Sequence, residues 1–153
     1  MNSEPFGTTI FCDDIRHEMN GKITLVGCYS NELNFNGPAP GILPTFAAYI
    51  SVKIPTEIKF DQIVLRVVKK DGDEETEILK SEIVLDEVQK RQAYGSGDTA
   101  EHDHKVFSLN APSKWTQLIF NKSGEIRVRA DLDGRHEIRL GTLKVNFKTE
   151  DVK

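Results

Sequence analysis

The dipeptide Asn20-Gly21 lies between two runs rich in β-branched and apolar residues. Such a pair between strand-like runs marks a β-hairpin, and the loop length follows from the side chains it would bring together. A two-residue loop sets Glu18 opposite Ile23 and Arg16 opposite Leu25, mixing polar and apolar partners. A three-residue loop, Met19 to Gly21, sets Glu18 opposite Lys22, Arg16 opposite Thr24 and Cys12 opposite Cys28. The other face then carries Phe11, Ile15, Ile23, Leu25 and Tyr29. A slip of one residue would turn every side chain to the wrong face, so the cleaner register is expected. Such a loop is a type I turn followed by a left-handed residue, which predicts a positive φ at Gly21.

The same reasoning applies near the C-terminus. Ile126, Val128, Ala130 and Leu132 alternate with Arg127, Arg129 and Asp131, and Asp133-Gly134 leads to Ile138 and Leu140. A three-residue loop, Leu132 to Gly134, pairs Val128 with Ile138, Arg129 with Glu137 and Asp131 with Arg135, bringing opposite charges together. It also sets Arg127 against Arg139. Lys70-Asp71-Gly72-Asp73 is read as a third turn of this kind. Between the turns, Phe46 to Ile54 alternates cleanly, and Leu33 and Phe35 suggest a short strand in a turn-rich stretch. Residues 62–69 are apolar on both faces, as in a central strand. A strand is expected over Thr76–Leu85, and residues 86–91 fit a helical turn or its continuation. Val106–Leu109 and Trp115–Phe120 read as two further short strands. The expected class is all-β: one domain, 1–153, an antiparallel two-sheet sandwich of immunoglobulin-like or Greek-key type with eight or nine strands.

A net charge of −4 argues against a general nucleic-acid surface. The chain has no apolar run long enough to span a bilayer, and its start, Met1-Asn2-Ser3-Glu4-Pro5, has neither the basic end nor the apolar core of an export signal. The expectation is a cytoplasmic protein that contacts no membrane and no nucleic acid. Two cysteines are too few for a disulfide scaffold. The register would permit a Cys12–Cys28 bond, but a reducing compartment favours free thiols.

The series Cys12-Asp13-Asp14-Ile15-Arg16-His17-Glu18, then Gly21-Lys22 and Leu25-Val26-Gly27, resembles the opening of a bacterial and phage family of small β proteins known only as a domain of unknown function. Gly124-Glu125-Ile126-Arg127-Val128, leading to Asp133-Gly134, resembles its end. The resemblance implies an immunoglobulin-like sandwich in an intracellular setting, and it implies no activity.

Five groups of residues could carry function. Asp14, Arg16, Glu18 and Lys22 form a polar hairpin face, either a recognition patch or a ladder of exposed ion pairs worth at most about 1 kcal/mol each. Asp13 falls on the apolar face opposite Gly27 and needs donors there, as an anchor for the loop 92–104. That loop shows no periodicity, as functional or mobile loops do. It contains Glu101, His102, Asp103 and His104, a possible metal set without a further histidine or cysteine nearby. Asp71, Asp73, Asp131 and Asp133 resemble calcium loops but also fit plain turn chemistry. Arg127, Arg129, Arg135 and Arg139 form a basic strip whose like charges call for an anion or an acidic partner. Trp115 and Tyr94 are read as core or loop anchors.

The sequence has no glycine-rich phosphate loop, nucleophile elbow or metalloprotease helix, and its strand-borne cysteines lack an activating base. The expected function is therefore non-catalytic: an interaction or structural module, such as a subunit or accessory factor of a bacterial or phage assembly. It would need no cofactor, its partner would be a protein, and self-association is compatible with free strand edges. The alternative is a small-ligand or metal-binding protein that uses the 92–104 loop.

Overall fold

The computed structural model describes residues 4–87 and 106–148. Among the described residues, nine strands form two sheets. They are β1 (Phe6–His17), β2 (Ile23–Cys28), β3 (Glu32–Asn36), β4 (Gly41–Pro55), β5 (Gln62–Asp71), β6 (Glu74–Val84), β7 (Val106–Phe120), β8 (Gly124–Leu132) and β9 (His136–Lys148). One sheet has the order β2-β1-β4-β7 and the other β3-β9-β8-β5-β6. The inward positions of both sheets build one core that includes Phe46, Ile50 and Phe120 from the first and Leu65, Ile126 and Leu143 from the second. The half-buried Trp115 crosses between them, its ring tilted against Phe46 at 5.8 Å and its indole N–H donating to the Ile78 carbonyl at 3.1 Å. The two-sheet sandwich expected from the turns is therefore observed. One ladder departs from the antiparallel rule: β3 pairs with β9 in parallel, Leu33 opposite Val145 and Phe35 opposite Phe147.

The first hairpin keeps its expected register, with Cys12 opposite Cys28 and Arg16 opposite Thr24, and the Glu18 N–H donates to the Lys22 carbonyl at 2.8 Å. Gly21 has a φ of 72°, but Asn20 is left-handed as well, with a φ of 63°, so the turn is not type I. Asparagine tolerates that region better than most residues. The single apolar face is not observed. Phe11 and Tyr29 join the main core, while Ile15, Ile23 and Leu25 pack with Cys12 and Ala47 in a satellite cluster. The extended path breaks at Gly27, φ 67°, where a Cβ would lie 2.2 Å from the Asp13 carboxylate.

The last hairpin has a different register from the expected one. Leu132 pairs with His136 and Arg129 with Arg139, so the loop is Asp133–Arg135. The expected loop would have placed Leu132 in the turn, whereas Leu132 is buried at 1% exposure. Burying a leucine is worth about 1.5–3 kcal/mol, more than the roughly 0.2–1 kcal/mol of a cross-strand charge pair. Beyond Arg129 a bulge moves the pairing again, so that Val128 faces Gly141 and Ile126 faces Leu143. Gly141, φ 151°, lets Leu140 and Leu143, three positions apart, both point inward.

The third turn is a two-residue loop, Gly72-Asp73, with Asp71 opposite Glu74. Val106–Leu109 and Trp115–Phe120 belong to one strand, β7, rather than two. Pro112 lies within it, and among the described residues β7 is an edge strand paired with β4 alone. There a missing N–H on the solvent side costs the ladder nothing. The central position expected for 62–69 is observed, since β5 lies between β8 and β6.

Candidate functional site: an arginine row on the five-stranded sheet

β5 alternates Ile63, Leu65 and Val67 inward with Val64, Arg66 and Val68 outward. The ladders then decide what stands beside Arg66. On one side it pairs with Lys80 of β6. On the other it pairs with Arg129 of β8, which pairs in turn with Arg139 of β9. Four cations thus stand side by side on four neighbouring strands, Lys80–Arg66–Arg129–Arg139. Strands lie about 4.8 Å apart, and like charges directly opposite one another are destabilising. Two register irregularities adjoin the row, at Val67/Val68 and at Val128/Arg129. Bulges re-aim side chains and are enriched beside functional sites.

The surroundings only partly neutralise the row. Lys80 meets Glu82 at 3.3 Å, Arg66 meets Glu77 at 3.5 Å and Arg129 meets Glu137 at 3.7 Å, while the Arg129 Nη1 donates to the Val128 carbonyl at 2.9 Å. Burial is the main cause that lowers the pKa of Arg129; Glu137 opposes the shift, and Arg139 and Arg127 add to it. Arg139 has no ion pair within 4.0 Å among the described residues. The row borders a groove of about 340 Å³ lined by Val64, Arg66, Val68, Arg129, Ala130, Asp131 and Glu137. Two valines give it an apolar floor, two guanidinium groups can hold carboxylates bidentately, and Asp131 and Glu137 close one end.

The expected basic strip is thus corrected in membership and direction. Arg127 faces Thr142, not Arg139, and is paired with Glu125 and, at 3.3 Å, with Glu75. Arg135 sits in the turn, ion-paired with Asp133 at 3.3 Å. Arg129 and Arg139 remain, and Arg66 and Lys80 join them. The available signal was one arginine, Arg66, inside the otherwise apolar run Ile63–Val68.

The ion pairs of the polar hairpin centre on Asp14 and reach across β4 to β7. Asp14 meets Lys114 of β7 at 2.7 Å and Arg16 at 4.0 Å. The Lys114 hydrogen bond, ahead of other causes, lowers its pKa. Asp13 is exposed rather than buried in the apolar face, and it accepts the Tyr29 hydroxyl at 2.5 Å. Burial first, and then this bond, raises the pKa of Tyr29. Glu18 and Lys22 flank the exposed turn.

Asp71 and Asp133 act as buckles. The Asp71 carboxylate accepts the backbone N–H groups of Asn121 at 3.0 Å and Lys122 at 2.6 Å. Asp133 accepts those of Asp61 at 3.0 Å and Gln62 at 2.8 Å. Both ends of β5 are fastened this way. Burial pushes each pKa up, but the hydrogen bonds outweigh it and leave both lowered. No group of three His, Cys, Asp or Glu placed to hold a metal occurs among the described residues. His102, Asp103, His104 and the whole 92–104 loop lie outside them, as does Tyr94. No helix among the described residues is long and apolar enough to cross a membrane.

A family model matches residues 8–146, from the first strand to the last. The chain belongs to that family, a family of unknown function (DUF6941). The match spans both hairpins and the arginine row, and it assigns no activity to any of them. No curated protein matches the chain.

Proposed function

We propose that this DUF6941 chain is a non-catalytic interaction module that receives an acidic segment of a partner protein across the arginine row. In this reading it is a cytoplasmic subunit or accessory factor of a bacterial or phage assembly. The observation that carries the reading is the alignment of Lys80, Arg66, Arg129 and Arg139 on four adjacent strands. A fold gains nothing by placing like charges opposite one another, whereas an acidic ligand turns that cost into affinity. Guanidinium groups suit carboxylates by geometry as well as charge, and the valine floor accommodates the stems of glutamates.

The test is titration calorimetry with a glutamate-rich peptide at low and moderate salt. Binding should weaken with salt, because exposed charges are screened within about 10 Å at 0.1 M. Arg66→Gln with Arg139→Gln should lower affinity at least tenfold, and Arg135→Gln, in the turn, should leave it unchanged. Absence of binding at low salt, or an equal loss with Arg135→Gln, would sink the proposal.

A further inference from the structure

The two cysteines lie outside the arginine row and take no part in it. Cys12 on β1 and Cys28 on β2 are direct partners in the antiparallel ladder. Direct partners have Cα atoms about 4.5–5.5 Å apart, inside the roughly 4.4–6.8 Å that a disulfide spans. Both are free thiols, and their access differs: Cys12 is fully buried and Cys28 is exposed. Cys12 is held among Ile15, Ala47 and Leu25, with its thiol directed at the Asp14 carbonyl at 3.4 Å.

We propose that Cys12 and Cys28 form a reversible thiol–disulfide site that reacts with small disulfides of the glutathione class. The difference in access sets the order of events. The Cys28 thiolate attacks one sulfur of the small disulfide, forming a mixed disulfide and releasing one thiolate, which takes up a proton. Cys12, deprotonated as it reacts, then attacks the Cys28 sulfur and displaces the second small thiolate, which also becomes a thiol. In sum, two protein thiols and one small disulfide give one protein disulfide and two small thiols, with two electrons passing to the small molecule. Burial, with Cys28 and Asp13 adding to it, raises the Cys12 pKa, which keeps that thiol protonated until its partner is activated.

The bond would form at a corner of the fold. Cys28 ends β2, the edge of the four-stranded sheet, and the chain then crosses to β3, the edge of the other. Immediately after it, the Tyr29 N–H donates to the Phe11 carbonyl at 2.8 Å, and the Asn31 carbonyl accepts the Lys144 N–H at 3.2 Å. Oxidation would fasten this crossing covalently to the interior strand β1.

The experiment is incubation of the folded protein with excess oxidised glutathione, read by intact mass and peptide mapping. The wild type should lose the mass of two hydrogens, carry no glutathione and regain its mass on reduction. Cys12→Ser should instead hold one glutathione on Cys28, with Cys12→Ala as the second variant should serine disturb the satellite cluster. Cys28→Ser should stay unmodified under native conditions. Amides of residues 23–31 should exchange more slowly in the oxidised protein. A wild type that keeps glutathione on Cys28, does not react, or links between copies would overturn the proposal.

Discussion

The two sheets share one core but present different outer faces. The outer face of the five-stranded sheet is dense with charge: beside the cationic row run Glu82, Asp131 and Glu137 on one side and Glu77 and Arg127 on the other. The outer face of the four-stranded sheet has the rows Phe6–Lys53–Ser108, Thr8–Ser51–Asn110, Ile10–Tyr49–Pro112 and Cys12–Ala47–Lys114. Across these rows the charges are Lys53 and Lys114 alone. Inward alternation fixes which residues make the core in both sheets, and it leaves the outward positions open. Where those positions hold like charges in register, folding does not account for the choice.

Both outer faces are carried by a common interior. Ile50→Ala in one sheet and Leu65→Ala in the other should each cost about 2–5 kcal/mol in denaturant unfolding, since both side chains are essentially fully buried. A much smaller loss in one sheet would mean that the core is not shared.

The buckles of the five-stranded sheet come next. Asp71→Ala and Asp133→Ala each leave two backbone donors without their acceptor, at a cost of about 1–3 kcal/mol. Their folded pKa values are lowered, so this stabilisation is fully present above the unfolded value of about 3.9. It is lost as pH falls through the lower folded value. Asp71→Asn and Asp133→Asn should flatten the acid limb of the stability profile; an unchanged slope would remove the carboxylates from that account.

The outer faces should separate under smaller changes. Arg139→Gln removes one like-charge neighbour of Arg129 and should leave stability unchanged or raised by up to about 1 kcal/mol, while lowering affinity for the acidic peptide. A loss of stability would show the row to be structural. Ser51→Lys on the other face should fall within about 0.5 kcal/mol of wild type and not affect peptide binding. Alkaline titration adds a local probe: Tyr29 should resist ionisation, and Asp13→Asn should ease it.

The first hairpin was legible in the sequence because one register alone kept polar and apolar partners apart, and its pairing is observed. The last hairpin was not, because two considerations pointed to different loops. Cross-strand charges favoured a loop beginning at Leu132, and burial of Leu132 favoured one beginning at Asp133. The arginine row was legible in half of its members. Arg129 and Arg139 lie on one hairpin, but Arg66 and Lys80 reach it through β5–β8 and β5–β6 pairing, which no local pattern encodes. The buckles were visible as turn aspartates, although their partners, Asn121, Lys122, Asp61 and Gln62, are distant in sequence.

The parallel pairing of β3 with β9 sets an order in time. Asn34 meets Asn146 across 112 positions of chain, so the ladder at that edge cannot begin to close until residues 144–148 have left the ribosome. Until then the carbonyl and amide groups of β3 have only water to bond, and Leu33, destined for 3% exposure, has no finished interior to enter. Contacts so far apart in sequence make folding slow. A nascent chain halted before β9 would therefore present an unfinished seam along β3.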